Sequence, residues 1–366
     1  MVRLDNWRNF DFLLFAAVLI LSIFGIAMIN SAVAGNQQLA TYVPRQTIFV
    51  ALGLLVVLAS AVIDYHYWIS FTRPLFILTF ILLVIVFILG KASFGSARWL
   101  TTGLVDVQPS ELGKIVIILV LANYFARNWD KPHDLRWISS SLIPVGAIVV
   151  WIILQPNLST SIVIFVIWFS MIWISGLPMK YMGFFLVGVI LLSVVVFPLL
   201  APYQQARILD FFFPNPNARY GNTYNVDQAL ITIGSGGWYG MGYARGTQVQ
   251  LRFLKVRHTD FIFSALSEEF GFIGAALVLI LIGFVIWRCL RIARRSEDPY
   301  GALIAYGFAI VMFFQTIVNV GVNLSLIPVT GLTLPFISYG GSSVVSMLLG
   351  IGLVQSVALH PKTLQF

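Results

Sequence analysis

The sequence predicts an all-α polytopic membrane protein with about ten transmembrane helices. Of its 366 residues, 59% are hydrophobic and only 10% are charged, and the mean hydropathy is +0.92. This composition excludes a soluble globular domain. The apolar runs continue over about 20 residues instead of alternating over about 10, so they also exclude a transmembrane β-barrel.

Ten segments have the length and apolarity of a membrane-spanning helix. They are residues 10–34, 46–63, 74–90, 110–126, 137–154, 158–175, 181–200, 261–288, 299–322 and 334–358. The first could also belong to a secretion signal, because Ala32-Val33-Ala34 is similar to a cleavage site. We interpret it as a helix since its apolar run exceeds the usual ~7–15 residues of a signal. Residues 1–366 are thus predicted to form a single integral membrane domain.

The basic residues predict the orientation in the membrane. If the N-terminus is cytoplasmic, twelve Arg and Lys residues face the cytoplasm, and three lie in short outer loops. This asymmetry follows the positive-inside rule, so both termini are expected in the cytoplasm. Residues 201–259, between the seventh and eighth helices, then form one large extracytoplasmic loop. The same distribution explains the net charge of +8 without a nucleic-acid partner.

The 201–259 loop is expected to be ordered and partly embedded in the membrane interface, because it is rich in aromatic residues. Its basic residues suit an anionic, phosphate-bearing ligand or anionic lipid headgroups, although a solvated surface is the alternative. These residues are Arg207, Arg219, Arg245, Arg252, Lys255 and Arg257, together with Arg98 of the third loop. The glycine-rich stretch 234–242 lacks the spacing of a nucleotide-binding loop. The lone Cys289 excludes a disulfide framework or a zinc site.

Asp260 is the leading catalytic candidate, because it places an acid where this loop meets the eighth helix. The alternative is that Thr259 or Asp260 only caps the helix. On a continuous helix, Asp260, Ser264, Ser267 and Gly271 would lie within about 40° of one line and form a polar stripe.

Charged residues inside the predicted spans are the second set of candidates, because such charges usually mark a site or pathway. Glu111 and Lys114 can face each other on one side of the fourth helix. The alternative is a structural pair in which Lys114 extends outward. In the eighth helix, Glu269 follows Glu268 and projects about 180° from Asp260, so we expect it to contact another helix.

Four motifs in a fixed order resemble those of the SEDS family (shape, elongation, division and sporulation). They are Ser96-Ala97-Arg98-Trp99 with Gln108-Pro109-Ser110-Glu111; Thr247-Gln248 with His258-Thr259-Asp260-Phe261-Ile262-Phe263 and Glu268-Glu269-Phe270-Gly271; Gln315 and Asn319 before Pro328-Val329-Thr330-Gly331; and Leu334-Pro335-Phe336-Ile337-Ser338-Tyr339-Gly340-Gly341-Ser342. One motif departs from the family, which usually has Asp where this chain has Asn157, so Asn157 is not expected to be catalytic. The short termini are more similar to the RodA branch than to FtsW.

The resemblance implies a peptidoglycan glycosyltransferase in the bacterial cytoplasmic membrane. It would polymerise lipid II at the outer face, release undecaprenyl pyrophosphate and serve cell elongation and rod shape. The implied partners are a class B penicillin-binding protein and other membrane proteins of the elongation complex. A lipid II flippase, another lipid-linked sugar transporter, or a scaffold without chemistry are the alternatives, since broken helices and intramembrane charges suit transport too.

The expected reaction is an inverting displacement at an anomeric carbon. The acceptor hydroxyl needs a base, whereas the leaving pyrophosphate needs no proton, so one carboxylate is sufficient. Asp260 is expected to be this base, or else to bind a divalent cation, Mg²⁺ or Mn²⁺; no nucleotide is expected. The residues expected to bind substrate or line the cavity are Arg98, Glu111, Lys114, Arg207, Thr247, Gln248, Thr259, Ser264, Gln315, Asn319, Ser338 and Tyr339.

Overall fold

The computed structural model describes residues 4–89, 91–93, 96–101, 106–130, 134–214 and 221–361. Within these ranges the chain forms thirteen α-helices and a small antiparallel sheet of order β1-β2-β3. The helices are α1 Phe12–Val33, α2 Tyr42–Val62, α3 Tyr67–Leu89, α4 Pro109–Arg127, α5 Leu135–Leu154, α6 Leu158–Ile174, α7 Met182–Val196, α8 Pro202–Phe212, α9 Asn222–Gly236, α10 Thr247–Gln250, α11 Ile262–Arg295, α12 Pro299–Asn323 and α13 Gly341–Leu359. The strands are β1 Lys91–Ser93, β2 Ser96–Thr101 and β3 Asp106–Val107.

The predicted all-α membrane architecture is confirmed. Ten of these helices, α1–α7 and α11–α13, overlap the ten predicted segments. In the described part of the chain, eight helices have the length and hydropathy needed to cross a membrane; α6 is apolar but shorter, with 17 residues. The central helices are α4, α12 and α13, whose residues are mostly buried, whereas α3 is largely exposed on the periphery.

Two predicted helix starts are wrong. The third helix starts at Tyr67 and includes Pro74, instead of starting there. The tenth starts at Gly341 rather than 334, because residues 334–340 turn toward the start of α11. In this stretch, the Tyr339 N–H donates to the His258 carbonyl, 2.9 Å away. A helix from 334 would have used that N–H internally.

The 201–259 segment is ordered where it is described, and it contains α8, α9 and α10. Arg219 falls outside the described residues. The loop after α9 joins α11 at a break centred on Gly271, whose φ of 66° and ψ of −168° are not helical. There the carbonyls of Glu268 and Glu269 accept hydrogen bonds at 2.9 Å from the N–H groups of Met241 and Gly242. The first part of α11, before Gly271, is therefore a short helix attached to the 201–259 segment.

Candidate functional site

Asp260 lies in the turn that leads into α11, directly before Phe261. The residue at the capping position of α11 is Phe261, which offers no side-chain hydrogen bond. The alternative in which Thr259 or Asp260 only caps the helix is therefore wrong. The predicted polar stripe is also wrong, because the helix begins after Asp260, and Ser264 is buried with its hydroxyl bonded to Asn323.

The backbone around Asp260 is held by α12 and by residues 338–339. The Asp260 carbonyl accepts hydrogen bonds from Nδ2 of Asn319 at 3.1 Å and from Nδ2 of Asn323 at 2.9 Å. The Ser338 hydroxyl donates to the Thr259 carbonyl at 2.8 Å. These bonds fix the backbone of the candidate catalytic residue by contacts from two distant parts of the chain.

The carboxyl group of Asp260 lies beside Arg207 and Gly331. Burial raises the pKa of the Asp260 carboxyl, while the Arg207 guanidinium and a hydrogen bond from Thr259 lower it by a smaller amount. Arg207, from α8, also faces the carbonyls of Val329 and Thr330 at 3.4 and 3.5 Å. A Cβ atom added at Gly331 would lie 3.8 Å from Asp260 Oδ2. A carboxylate with a raised pKa is a stronger base than an ordinary aspartate, which suits proton abstraction.

Aromatic side chains pack next to this site. The rings of Tyr42 and Tyr339 stack with centroids 4.3 Å apart, and His258 meets Tyr42 edge-on at 5.2 Å. Burial, with a smaller contribution from Arg257, lowers the pKa of His258 to about 4. At neutral pH the imidazole is therefore uncharged, and Arg207 is the cation that acts on the Asp260 carboxyl.

Glu111 and Lys114 form a second polar centre, inside the bundle. Lys114 Nζ lies 2.8 Å from Glu111 Oε2, and the lysine is only 1% exposed. The alternative in which Lys114 extends outward is therefore wrong. Ser346 of α13 donates to the same Glu111 oxygen at 3.4 Å. In the ranges that the structure describes, no hydrogen bond or ion pair connects this pair to Asp260.

Thr247 and Gln248 surround Glu268 rather than Asp260. The Thr247 hydroxyl and the Gln248 N–H donate to Glu268 Oε1 at 3.3 and 2.8 Å, so the carboxylate caps the start of α10. Glu269 contacts another helix, as expected, because it accepts a hydrogen bond from Ser31 of α1. These contacts show Glu268 and Glu269 connecting α11 to neighbouring elements.

Three further residues singled out from the sequence have these positions in the structure. Gln315 is buried one turn before Asn319 on α12. The backbone of Arg98 lies in β2, and its side chain is outside the described part of the structure. Asn157 caps α6 by accepting from the Thr160 N–H at 3.4 Å.

Two residues at the site were missed from the sequence, Asn323 and Gly331. Asn323 follows Asn319 by one helical turn, so the spacing alone placed both amides on one face of α12. Gly331 has a φ of 78°, which a residue with a side chain rarely adopts.

The site supplies one carboxylate for a divalent cation. No group of three or more His, Cys, Asp or Glu side chains suited to a metal occurs in the described ranges. Mg²⁺ often binds through one or two carboxylates together with substrate phosphates and water. Asp260 therefore fits such a cation only when a phosphate-bearing substrate supplies the other ligands.

The sequence model of the family described as "Cell cycle protein", which comprises FtsW, RodA and SpoVE, matches residues 10–363. The chain belongs to the SEDS family. This SEDS protein is 34% identical to the "Probable peptidoglycan glycosyltransferase FtsW" of Hydrogenovibrio crunogenus, over 98% of this chain and 95% of that one. It is 35% identical to "Peptidoglycan glycosyltransferase MrdB" of Escherichia coli K12, over 86% of this chain and 85% of the relative.

Solved structures show the same fold. The SEDS protein is similar to a chain from a study on "Structural coordination of polymerization and crosslinking by a peptidoglycan synthase complex". That likeness has a TM-score of 0.82 at 29% identity and covers 97% of this chain and 99% of the other. It is also similar to the rod shape determining protein RodA of Thermus thermophilus, with a TM-score of 0.73 at 29% identity over 98% of this chain and 99% of that one.

Proposed function

We propose that this SEDS protein is a peptidoglycan glycosyltransferase that polymerises lipid II. The relatives described above as peptidoglycan glycosyltransferases support the reaction class. The observation that carries the proposal is the Asp260 carboxyl, which lies outside the helix, has a raised pKa and has a cation nearby. Such a group can take a proton and lies beside a charge that suits a pyrophosphate.

The reaction follows from these groups. The Asp260 carboxylate removes the proton of the acceptor hydroxyl, and that oxygen attacks the anomeric carbon of the donor sugar. The bond from this carbon to the pyrophosphate breaks, its electron pair leaves with undecaprenyl pyrophosphate, and the configuration inverts. Arg207 stabilises the negative charge of the leaving group, which needs no proton.

Binding a divalent cation is the second role that we propose for Asp260. Mg²⁺ or Mn²⁺ bound by its carboxylate and by the substrate pyrophosphate would supply charge stabilisation for the leaving group. The same carboxylate is required in either role, because both need its negative charge.

The decisive experiment is polymerisation of lipid II by the purified protein in detergent. Asp260→Asn keeps the size of the side chain and removes its charge, so we expect a folded protein that binds lipid II and makes no glycan. Loss of a general base lowers a rate by about 10²–10⁴-fold. The matched control is Asp227→Asn in the same 201–259 segment, where the aspartate is exposed and lies on α9.

The outcomes separate the proposed enzyme from other classes of protein. A flippase needs two membrane sides and forms no new bond, and a scaffold would also make no polymer in detergent. Polymerisation by the Asp260→Asn variant within a few-fold of the parent rate would end the catalytic assignment.

We further propose that the protein acts in cell elongation together with a class B penicillin-binding protein and other membrane proteins of that complex. The likeness to the solved structure of RodA from Thermus thermophilus supports the RodA branch. The identities to FtsW and MrdB relatives are nearly equal, at 34% and 35%. Complementation of cells depleted of either their elongation or their division SEDS protein distinguishes the branches. We expect this chain to restore rod shape to cells that lack the elongation protein. We do not expect it to restore septation to cells that lack the division protein. Rescue of division alone would overturn the proposed branch.

A further inference from the structure

Asn323, the last residue of α12, has every hydrogen-bonding position of its side chain occupied. The residue is 0% exposed. Its Oδ1 accepts from the N–H and the hydroxyl of Ser264 at 3.0 and 2.6 Å. Its Nδ2 donates to the carbonyls of Asp260 at 2.9 Å and Asn319 at 2.8 Å. An amide side chain has two donor and two acceptor positions, so this one is fully used.

These bonds supply a cap that α11 lacks in its own sequence. The first N–H groups of a helix have no partner inside that helix, and a side chain just before it usually provides one. Phe261 occupies this position and cannot do so. The Ser264 N–H is satisfied instead by Asn323, 59 residues away on another helix.

The cap from α12 has a consequence for the neighbouring carboxylate. An aspartate just before a helix is attracted to the free N–H groups and to the positive end of the helix dipole. Because Asn323 already binds the Ser264 N–H, the Asp260 carboxyl does not have to serve as the cap. The same amide group also fixes the Asp260 carbonyl, so one side chain sets both the helix start and the backbone of the catalytic residue.

We propose that Asn323 is a positioning residue that caps α11 from α12 and thereby keeps the Asp260 carboxyl available and oriented for the acceptor hydroxyl. This inference depends on the proposed function, in which Asp260 performs the chemistry. The charged group that acts on the carboxyl is Arg207 from α8, whereas α12 contributes only the neutral amides of Asn319 and Asn323.

A second buried amide provides a matched control. Gln355 of α13 is also fully buried, and it binds the backbone of Asp11 in the same two-sided manner. Its Oε1 accepts from the Asp11 N–H at 3.0 Å, and its Nε2 donates to the Asp11 carbonyl at 2.8 Å. Asp11 caps α1, far from Asp260 in the sequence, so loss of Gln355 removes a comparable amide without touching the site.

The test compares Asn323→Leu with Gln355→Leu in the full-length protein, by lipid II binding stoichiometry, thermal unfolding and polymerisation kinetics. For Asn323→Leu we expect lipid II binding and KM close to those of the parent. Its kcat per lipid II-binding site should be about 10²-fold lower, the typical effect of misplacing a reacting group by about 1 Å. For Gln355→Leu we expect a lower unfolding temperature and an unchanged kcat per binding site.

Asn323→Ala removes the amide without adding bulk or charge and guards against a leucine variant that fails to fold. The smaller side chain leaves room for a water to bridge the freed polar groups, so we expect a folded protein with a kcat between those of the parent and the leucine variant. The proposal is overturned if both Asn323 variants turn over at the parent rate, if kcat per binding site falls equally in Gln355→Leu, or if neither Asn323 variant folds.

The inference and the proposed function fail in different ways. An active Asp260→Asn variant would contradict the proposed function, whatever Asn323 does. An inactive Asp260→Asn variant, combined with normal kcat values for both Asn323 variants, would contradict the inference alone.

Discussion

Among the residues that the structure describes, several charged side chains of the interior lie beside a group of opposite charge. Lys114 and Glu111 face each other at 2.8 Å, and Asp260 lies under the influence of Arg207. A buried charge without its partner is costly, because the surrounding protein and lipid solvate it poorly. The effect of a substitution therefore depends on the charge that it leaves behind.

The ion pair on α4 provides the first prediction. Glu111→Ala or Lys114→Ala leaves one buried charge unpaired, at a cost of about 3–5 kcal/mol. We expect each single variant to lose most of its polymerisation activity and to unfold at lower temperature. The double variant should be no worse than either single variant, because no unpaired charge is left. The exposed Arg294→Ala serves as the control. Near-normal activity of both single variants would show that the pair is dispensable.

Arg207 provides a prediction about pH. Its cation lowers the pKa of the Asp260 carboxyl against the larger raising effect of burial. Activity that needs the carboxylate is lost as the pH falls through this pKa. Arg207→Gln removes the cation and raises the pKa further, so the acid limb of the kcat/KM profile should move to higher pH. Arg207→Lys should leave the limb near its parent position.

The control for this experiment is Arg245→Gln, an exposed arginine in the same segment. We expect its pH profile to match that of the parent. An acid limb that moves to lower pH in Arg207→Gln would contradict the proposed influence of Arg207 on Asp260.

At the scale of elements, the break in α11 joins the site to the 201–259 segment. The N–H groups of Phe272 and Ile273 donate to the carbonyls of Gly237 and Trp238, at 2.8 and 3.2 Å, instead of to their own helix. A Cβ atom at Gly271 would lie 2.4 Å from the Gly240 nitrogen, so the two backbones approach as closely as glycine allows. The loop and the part of α11 before Gly271 therefore form one packed unit.

The break gives a prediction about stability. Gly271→Ala places a side chain at a φ of 66° and ψ of −168°, a region restricted to glycine, and pushes it into the backbone of the loop. The conformational cost alone is about 1–3 kcal/mol. We expect a lower unfolding temperature in detergent and reduced polymerisation. Gly283→Ala, in the regular part of α11 where a Cβ meets nothing within 4 Å, is the control and should be neutral or slightly stabilising. Equal stability of the two variants would show that the loop and this part of α11 do not pack as one unit.

At the scale of the whole molecule, α11 connects the site at its start to basic residues at its end. After its break at Gly271, α11 continues over residues 272–295, which form a helix of about 36 Å, longer than a hydrocarbon core of about 30 Å. Its first residues follow Asp260, and its last turn carries Arg294 and Arg295. The arginine distribution predicts that the Asp260 end faces outward and the arginine end faces the cytoplasm.

Cysteine labelling tests this orientation. Tyr239 is 84% exposed near the Asp260 end, and Cys289 is buried, so Tyr239→Cys in a Cys289→Ala background presents one reactive thiol. An impermeant thiol reagent should label it in cells with a permeabilised outer envelope. Arg294→Cys in the same background should react only after the membrane is lysed. The reverse pattern would invert the orientation and place the site in the cytoplasm.

The sequence alone determined the class of fold, the ten principal helices and the place of Asp260. An apolar run of membrane length forms a helix in lipid, because a helix satisfies all of its backbone hydrogen bonds within one segment. The ordered motifs led to the family and to Asp260. The basic residues predicted the orientation, which the labelling experiment will check.

Only the tertiary structure decided which polar groups form hydrogen bonds with one another. From sequence, Thr247 and Gln248 were grouped with Asp260, yet the fold places them around Glu268, and it supplies the cap of α11 from Asn323. It also turned residues 334–340 away from α13 toward His258. The physical reason is that helix length depends on local composition, whereas a hydrogen-bond partner depends on which distant segment packs against it. Periodicity gives the face on which a side chain lies, and only packing determines what that side chain meets.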